Sequence, residues 1–248
     1  MGGEPDWLVQ PFAHRGLHDS EKGIVENTAS AFQAAIDAGY GIELDVRTCG
    51  DGTVVVFHDD TLQRLTTGAG PVSDHTASQL KRVSFRASKD RIQTLPEMLE
   101  EICGRVPLLI ELKTDWKTYG PLEKGVGSSL EHYQGPAAVM SFDPHSMGAM
   151  ARIAPGIVRG LVAEHFADPH TPEGLSPRQR FMMRHLLSAF IAKPQFVNYD
   201  VRALPAMAPW IWRHVLQRPL LTWTVRSPEQ AREARRWADA IVFEGFRP

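Results

Sequence analysis

The chain of 248 residues carries 27 basic and 29 acidic side chains, a formal net charge of −2, with 43% hydrophobic and 23% charged residues. That balance suits a folded globular protein and offers no broad basic field to hold a polynucleotide, which argues against nucleic-acid binding. Cys49 and Cys103 make neither a disulfide framework nor a Cys-x-x-Cys metal pattern, and no stretch approaches the ~20 apolar residues of a membrane span. The opening MGGEPDWLVQPFAHRG is acidic early and lacks a signal-like apolar run, so a cytoplasmic protein with reduced, buried cysteines is expected.

In chain order, Leu8 to Ala13 reads as a first strand ending at His14-Arg15-Gly16. Asn27 or Thr28 caps a helix with an apolar stripe of Ala31, Phe32, Ala35, Ile36 and Ala38, and Gly39 ends it. Tyr40 to Val46 is a second strand. Gly50-Asp51-Gly52 turns it into Thr53 to Phe57 as a hairpin, because Asp-Gly favours tight turns. Residues 61 to 75 read as a loop, and Ser73 or Thr76 opens a short helix through Leu80. Thr94-Leu95-Pro96-Glu97 starts a helix with proline in its first turn, running to about Cys103, and Pro107 to Leu112 is a strand leading into Lys113.

The alternation continues with strands at Ala137 to Phe142, Ile157 to Ala163, Phe196 to Asp200, Pro219 to Val225 and Ala240 to Phe243. Helices fall at Pro144 to Ile153, Phe181 to Ile191, Leu204 to Leu216 and from Ser227 to Trp237, with a polar loop from Asp168 to Arg178. Strict βα alternation implies parallel strands joined by right-handed crossovers, and eight such units in about 250 residues specify an α/β TIM (β/α)8 barrel. The hairpin after the second strand is a small insertion. No linker-like shift in composition divides the chain, so residues 1–248 read as one domain.

Barrel enzymes do their chemistry at the C-terminal ends of their strands. Glu43 and Asp45 lie two apart on a strand and share a face, with Leu44 turned the other way. Two inward carboxylates repel unless neutralised, by a divalent cation or by a salt bridge with Arg47 nearby. Glu111 and Lys113 repeat the spacing, as a third carboxylate ligand and a phosphate-binding cation or as an ion pair at the solvent edge. His14 and His58 each follow a strand-like run and bracket the carboxylate pair. Imidazole takes a proton from one oxygen and gives one to another, the two transfers that phosphodiester cleavage needs. Arg15 adds a planar donor fork suited to phosphate, whereas the other eight histidines read as structural or surface residues.

His14-Arg15-Gly16, Glu26-Asn27-Thr28, Glu43-Leu44-Asp45-Val46, Asp51-Gly52 and His58-Asp59 together resemble the opening signature of the glycerophosphodiester phosphodiesterases. Glu111-Leu112-Lys113, Ser141-Phe142 and Trp223-Thr224-Val225 resemble later landmarks of that family, in the same order. The resemblance implies a TIM barrel that hydrolyses a glycerophosphodiester to an alcohol and sn-glycerol 3-phosphate, a cyclic phosphate being one route. It implies a divalent cation, magnesium or calcium, on Glu43, Asp45 and Glu111, with His14 and His58 as acid/base pair. Arg15 and Lys113 would meet the phosphate, and Trp223 would wall the glycerol or sit in plain core.

The chain departs from the family pattern at Val25, where proline often stands, and at Phe243-Glu244-Gly245-Phe246-Arg247-Pro248, where Thr-Asp-x-Pro is usual. The apolar, basic helix at 181–191 would rest on a membrane surface, cover a lipid-like substrate, or pack against its neighbours. It keeps open a lysophospholipase D reading of the same barrel. A phosphate-ligand binding protein without turnover is the remaining alternative, and a homo-oligomer is compatible with the composition.

Overall fold

Apolar residues at alternate positions close the sheet on itself. The computed structural model describes residues 6–166 and 175–248. Its strands are β1 (Phe12–Ala13), β2 (Gly41–Thr48), β3 (Val54–Val56), β4 (Leu108–Leu112), β5 (Ala137–Ser141), β6 (Val158–Ala163), β7 (Phe196–Asp200), β8 (Leu220–Val225) and β9 (Ala240–Phe243). β1 pairs in parallel with both β2 and β9, and the ladder runs from β2 through β4 to β9 without a break, giving a closed eight-stranded parallel TIM barrel. β3 turns back antiparallel on the end of β2, with Val46 opposite Val56, as the hairpin insertion.

Phe12, Leu109, Met140, Val162, Phe196, Leu221 and Val242 point inward as one buried cluster. Their neighbours Leu44, Ile110, Val139, Leu161, Val197 and Ile241 point outward into the larger core beneath the helices. The helices are α1 (Ala29–Asp37), α2 (Ala77–Leu80), α3 (Leu95–Ile102), α4 (Pro121–Leu130), α5 (Pro144–Ile153), α6 (Pro177–Arg184), α7 (Ala189–Ala192), α8 (Met207–His214) and α9 (Pro228–Trp237). Thr28, not Asn27, caps α1 by accepting from the Ala31 N–H, and capping boxes start α2 at Thr76–Gln79 and α3 at Thr94–Glu97. Val55, Phe57, Leu62, Leu80 and Ile92 give the insertion its own small core.

Four elements differ from the sequence expectation. The first strand shrinks to Phe12–Ala13, because Asp6–Leu8 forms a 3-10 turn closed by the Val9 N–H on the Asp6 carbonyl. α4 is an additional helix, in a stretch whose glycines and proline disguise it; Glu123, buried, accepts from the Gly120 N–H and from the Ser146 hydroxyl. The helix expected over 181–191 is two. The Leu187 N–H donates to the Met182 carbonyl and the Leu186 N–H to Met183, with Leu186 at φ 56, a Schellman ending that a buried leucine makes in place of glycine. The helix expected from Leu204 starts at Met207, after a 3-10 turn at Val201–Ala203. Of the loop expected from Asp168 to Arg178, residues 168–174 lie outside the described residues and Pro177 already begins α6.

Candidate active site

The alternation that fills the barrel also decides what stands at its mouth. Following the inward-facing positions beyond the apolar layers leads to His14 after β1, Glu43 and Asp45 on β2, Glu111 and Lys113 at the end of β4, Trp223 on β8 and Glu244 after β9. Strand register sets Asp45 directly beside Glu111. Glu43, Asp45 and Glu111 are buried, and one carboxylate oxygen of each lies within 4.8 Å of the others.

A left-handed turn fixes the β1 side. Arg15 and Gly16 adopt φ 56 and 80, and a Cβ at Gly16 would stand 2.7 Å from the Phe32 ring, so only glycine lets α1 come this close. The turn aims the Arg15 backbone N–H at Glu43 Oε2, 2.9 Å away. Asn27, also left-handed at φ 56, donates from Nδ2 to Asp45 Oδ2 at 2.9 Å and accepts from the Asp45 N–H at 3.1 Å. This reciprocal pair locks the Asp45 carboxylate. Lys113 Nζ lies 3.0 Å from Asp45 Oδ1 and donates to Glu111 Oε1 at 2.5 Å. Arg47 is not the partner of the carboxylates; it binds Asp60 and the His58 carbonyl instead.

Burial, then repulsion from Asp45 and Glu111, pushes the Glu43 carboxyl well above its ordinary pKa. Burial acts on Asp45 in the same direction, but the charges of Lys113, His58, Arg15 and His14 outweigh it and hold Asp45 well below. Lys113 is likewise desolvated yet raised, because Asp45 and Glu111 face it. Three inward oxygen donors, one driven towards protonation by the other two, fit a hard divalent cation in both charge and donor type. Among the described residues no second group of three such side chains occurs.

Each histidine is held from behind by a carboxylate. His14 Nδ1 donates to Glu244 Oε2 at 2.5 Å; a carboxylate only accepts, so Nδ1 carries the proton and Nε2 turns towards Glu43, 4.0 Å away. Glu244 also accepts from Arg226 Nε at 2.6 Å and lies 3.8 Å from His18 Nε2. Burial would raise Glu244, but its bond with His14 and the nearby His18 and Arg226 draw it well below the carboxylate range. Burial lowers His14 itself, and the Glu244 bond opposes this only in part. His58 Nδ1 donates to Asp59 Oδ1 at 2.7 Å, again leaving Nε2 free for chemistry. Arg64 clamps Asp59 through two bonds of 2.6 and 2.9 Å and gives two more to Glu26, which accepts from Arg15 Nη1 at 2.7 Å.

The lowered carboxylates set an acid limit on stability. Asp59 and Glu26 are desolvated, yet bonds with His58 and Arg64 hold the first below its ordinary pKa, and Arg64 and Arg15 hold the second. Such groups stabilise the fold fully above their unfolded pKa of about 4, and that contribution is lost as pH falls through the lower folded values. Urea midpoints are expected to hold down to about pH 5 and then decline, and Arg64→Met should flatten part of the decline. Identical pH profiles for the two proteins would refute the clamp.

Of the residues singled out in the sequence, His14, Arg15, Glu43, Asp45, Glu111 and Lys113 form one contact network. His58 joins it through Asp59, Arg64 and Glu26. Trp223 stands apart on the β8 side, edge-on to Phe142 at 5.4 Å, where β8 and β9 slip register. Asp59, Glu26 and Arg64 are neighbours of the site that sequence reasoning left without a role, and Asn27, read there only as a possible helix cap, holds Asp45. Asp59, Glu26 and Asn27 sit inside the quoted motifs, whereas Arg64 carried no signal.

The sequence profile described as the Glycerophosphoryl diester phosphodiesterase family matches residues 14–243. A glycerophosphodiester phosphodiesterase of Caldanaerobacter subterraneus subsp. tengcongensis is 34% identical over 160 residues, which cover 60% of this chain and 65% of that relative, just under two thirds of its length. A glycerophosphodiester phosphodiesterase from Thermotoga maritima superposes with a TM-score of 0.70 at 26% identity, covering 94% of this chain and 93% of that one. An Oleispira antarctica phosphodiesterase, solved in complex with the product sn-glycerol-3-phosphate, shares the fold with a TM-score of 0.73 at 23% identity, over 94% of this chain and 92% of that one.

Proposed function

We propose, since the chain belongs to the glycerophosphoryl diester phosphodiesterase family, that it hydrolyses glycerophosphodiesters to an alcohol and sn-glycerol 3-phosphate within one barrel domain. The observation that carries this reading is the pair of imidazoles, His14 and His58, each protonated at Nδ1 against its own carboxylate so that Nε2 is left to exchange protons.

One imidazole takes the proton of the attacking hydroxyl as its oxygen bonds to phosphorus. The other gives its proton to the departing alcohol oxygen as the second P–O bond breaks. If the nucleophile is a glycerol hydroxyl, the product is a cyclic phosphate, and water opens it with the proton transfers reversed. The ionised Glu244 and Asp59 stabilise whichever imidazole is charged and keep both rings oriented. Arg15 and Lys113 lie beside the carboxylates and are the cations for the phosphate oxygens, at the cost of loosening their present ion pairs. Trp223 offers the glycerol an apolar wall. Glu43, Asp45 and Glu111 would hold magnesium or calcium, which would supply Lewis-acid charge at the phosphate and make a nearby hydroxyl easier to deprotonate.

A panel of glycerophosphodiesters assayed for sn-glycerol 3-phosphate release, with magnesium, calcium and manganese in turn, tests the reading. Turnover of a deacylated diester is expected, and no release from any diester with any of the three ions would overturn it. Lysophosphatidylcholine belongs in the panel because exposed apolar side chains such as Met207 stand on α8 near the barrel mouth. Faster cleavage of that lipid would favour the lysophospholipase D reading.

A further inference from the structure

We propose that the outer face formed by α6, α7 and α8 is a docking surface for anionic lipid bilayers. Among the described residues eleven large apolar side chains are exposed, and eight of them lie between 181 and 216. Phe181, Leu187 and Phe190 project from α6, α7 and the turn between them; Met207, Trp210 and Val215 project from α8 and its end. Phe190 and Met207 are 67% and 70% exposed, more than stray surface residues need to be and enough for their tips to enter another phase. The two helical units border one groove of about 350 Å³, with Arg184 and His185 on one side, Met207 on the other, and Tyr199 and Arg202 from the end of β7 between them.

Charge identifies the partner. Residues 175–218 contain seven lysines and arginines against one acid, Asp200, a net +6 in a chain of net −2, which leaves −8 on the remainder. Arg202 and Arg213 pair with Asp200 and Asp239, whereas Arg178, Arg184 and Lys193 are exposed and form no ion pair among the described residues. Apolar tips set among free cations match a lipid headgroup layer, where rings and aliphatic chains reach below the phosphates that the cations bind. A second copy matches poorly, because a two-fold pairing would bring the unpaired cations Arg178, Arg184 and Lys193 against their own copies. The negative remainder of the molecule is repelled by the same bilayer, so the field also orients it. The groove opens at the end of β7, the end of the barrel that holds the carboxylates, so docking holds the mouth next to the lipid. This surface is independent of what the site turns over.

Sedimentation with vesicles tests it, using phosphatidylcholine alone and equal parts phosphatidylcholine and phosphatidylserine. The protein is expected to sediment with the mixed vesicles only, and less so at high salt. Arg184→Glu with Lys193→Glu should weaken binding about tenfold or more. Phe190→Ser with Met207→Ser should weaken it too. Circular dichroism and hydrolysis of a water-soluble diester serve as controls that both variants are folded. No sedimentation with mixed vesicles, or equal binding by wild type and both variants, would overturn the proposal. So would a wild-type dimer that the apolar pair of substitutions turns into monomer, with no vesicle binding in either form.

Discussion

His14→Ala and His58→Ala are each expected to lower kcat for glycerophosphodiester hydrolysis by about a hundred- to ten-thousand-fold, the range that general acid–base catalysis supplies. Neither change should unfold the protein, since both rings stand at the mouth outside the apolar layers, His14 half-buried and hydrogen-bonded to a single carboxylate. The two losses should differ with substrate. A diester whose alcohol leaves without needing a proton restores much of the rate to the variant lacking the general acid, and none to the variant lacking the base. Full activity in either variant would remove that histidine from the mechanism. Glu244→Gln offers a finer test: the amide can present its oxygen to His14 Nδ1 but cannot stabilise the charged ring, so kcat should fall with KM nearly unchanged.

The second large effect concerns Glu43. Glu43→Gln is expected to abolish activity and, at the same time, to leave the metal-free protein as stable as the wild type or more so. Burial, Asp45 and Glu111 all push the Glu43 carboxyl upward. A carboxyl raised in the fold favours the folded state below its unfolded pKa and progressively less as pH rises past it, so at neutral pH the group is a burden that glutamine lifts. A divalent cation reverses the balance. Added to the wild type at a hundred times its dissociation constant, it should stabilise by about 2.7 kcal/mol, and it should do far less for Glu43→Gln. Thermal melts with and without a chelator read both halves of this. Equal metal-induced shifts in the two proteins would refute Glu43 as a ligand. Asp45→Ala should behave in the opposite way, destabilising because Arg15, Lys113 and the Asn27 amide would lose their shared acceptor.

Much of this site was legible from spacing alone. Glu43 and Asp45 share a face because strand side chains alternate, and Glu111 with Lys113 follows the same rule; once Leu44 and Ile110 are assigned to the helix side, the acids must face inward. What spacing could not reveal is which cation answers which carboxylate. Arg47 is nearest in sequence but faces Asp60, and it is Lys113 from the next barrel strand and Arg15 from a left-handed turn that reach Asp45. The break after α6 was hidden for a related reason: Leu186 adopts a glycine-like conformation, held by the two backbone bonds of its turn while its side chain is buried. α4 was obscured because Gly125 reads as a helix breaker, while its real role is to let Val54 approach, a Cβ there falling 2.5 Å from that side chain.

The bond between His14 and Glu244 joins the first strand of the barrel to the last, 230 residues later. β1 supplies only two residues to the sheet, and both are stitched to β9 as well as to β2. During synthesis the first histidine therefore leaves the ribosome long before the group that aims it. The β2 and β4 carboxylates are made early, yet the first imidazole has no carboxylate to orient it until the ring shuts. Contacts this distant along the chain also form late in folding. Under the proposed mechanism, hydrolysis would first appear when the ring closes, so a partly made molecule would be silent for want of its last strand.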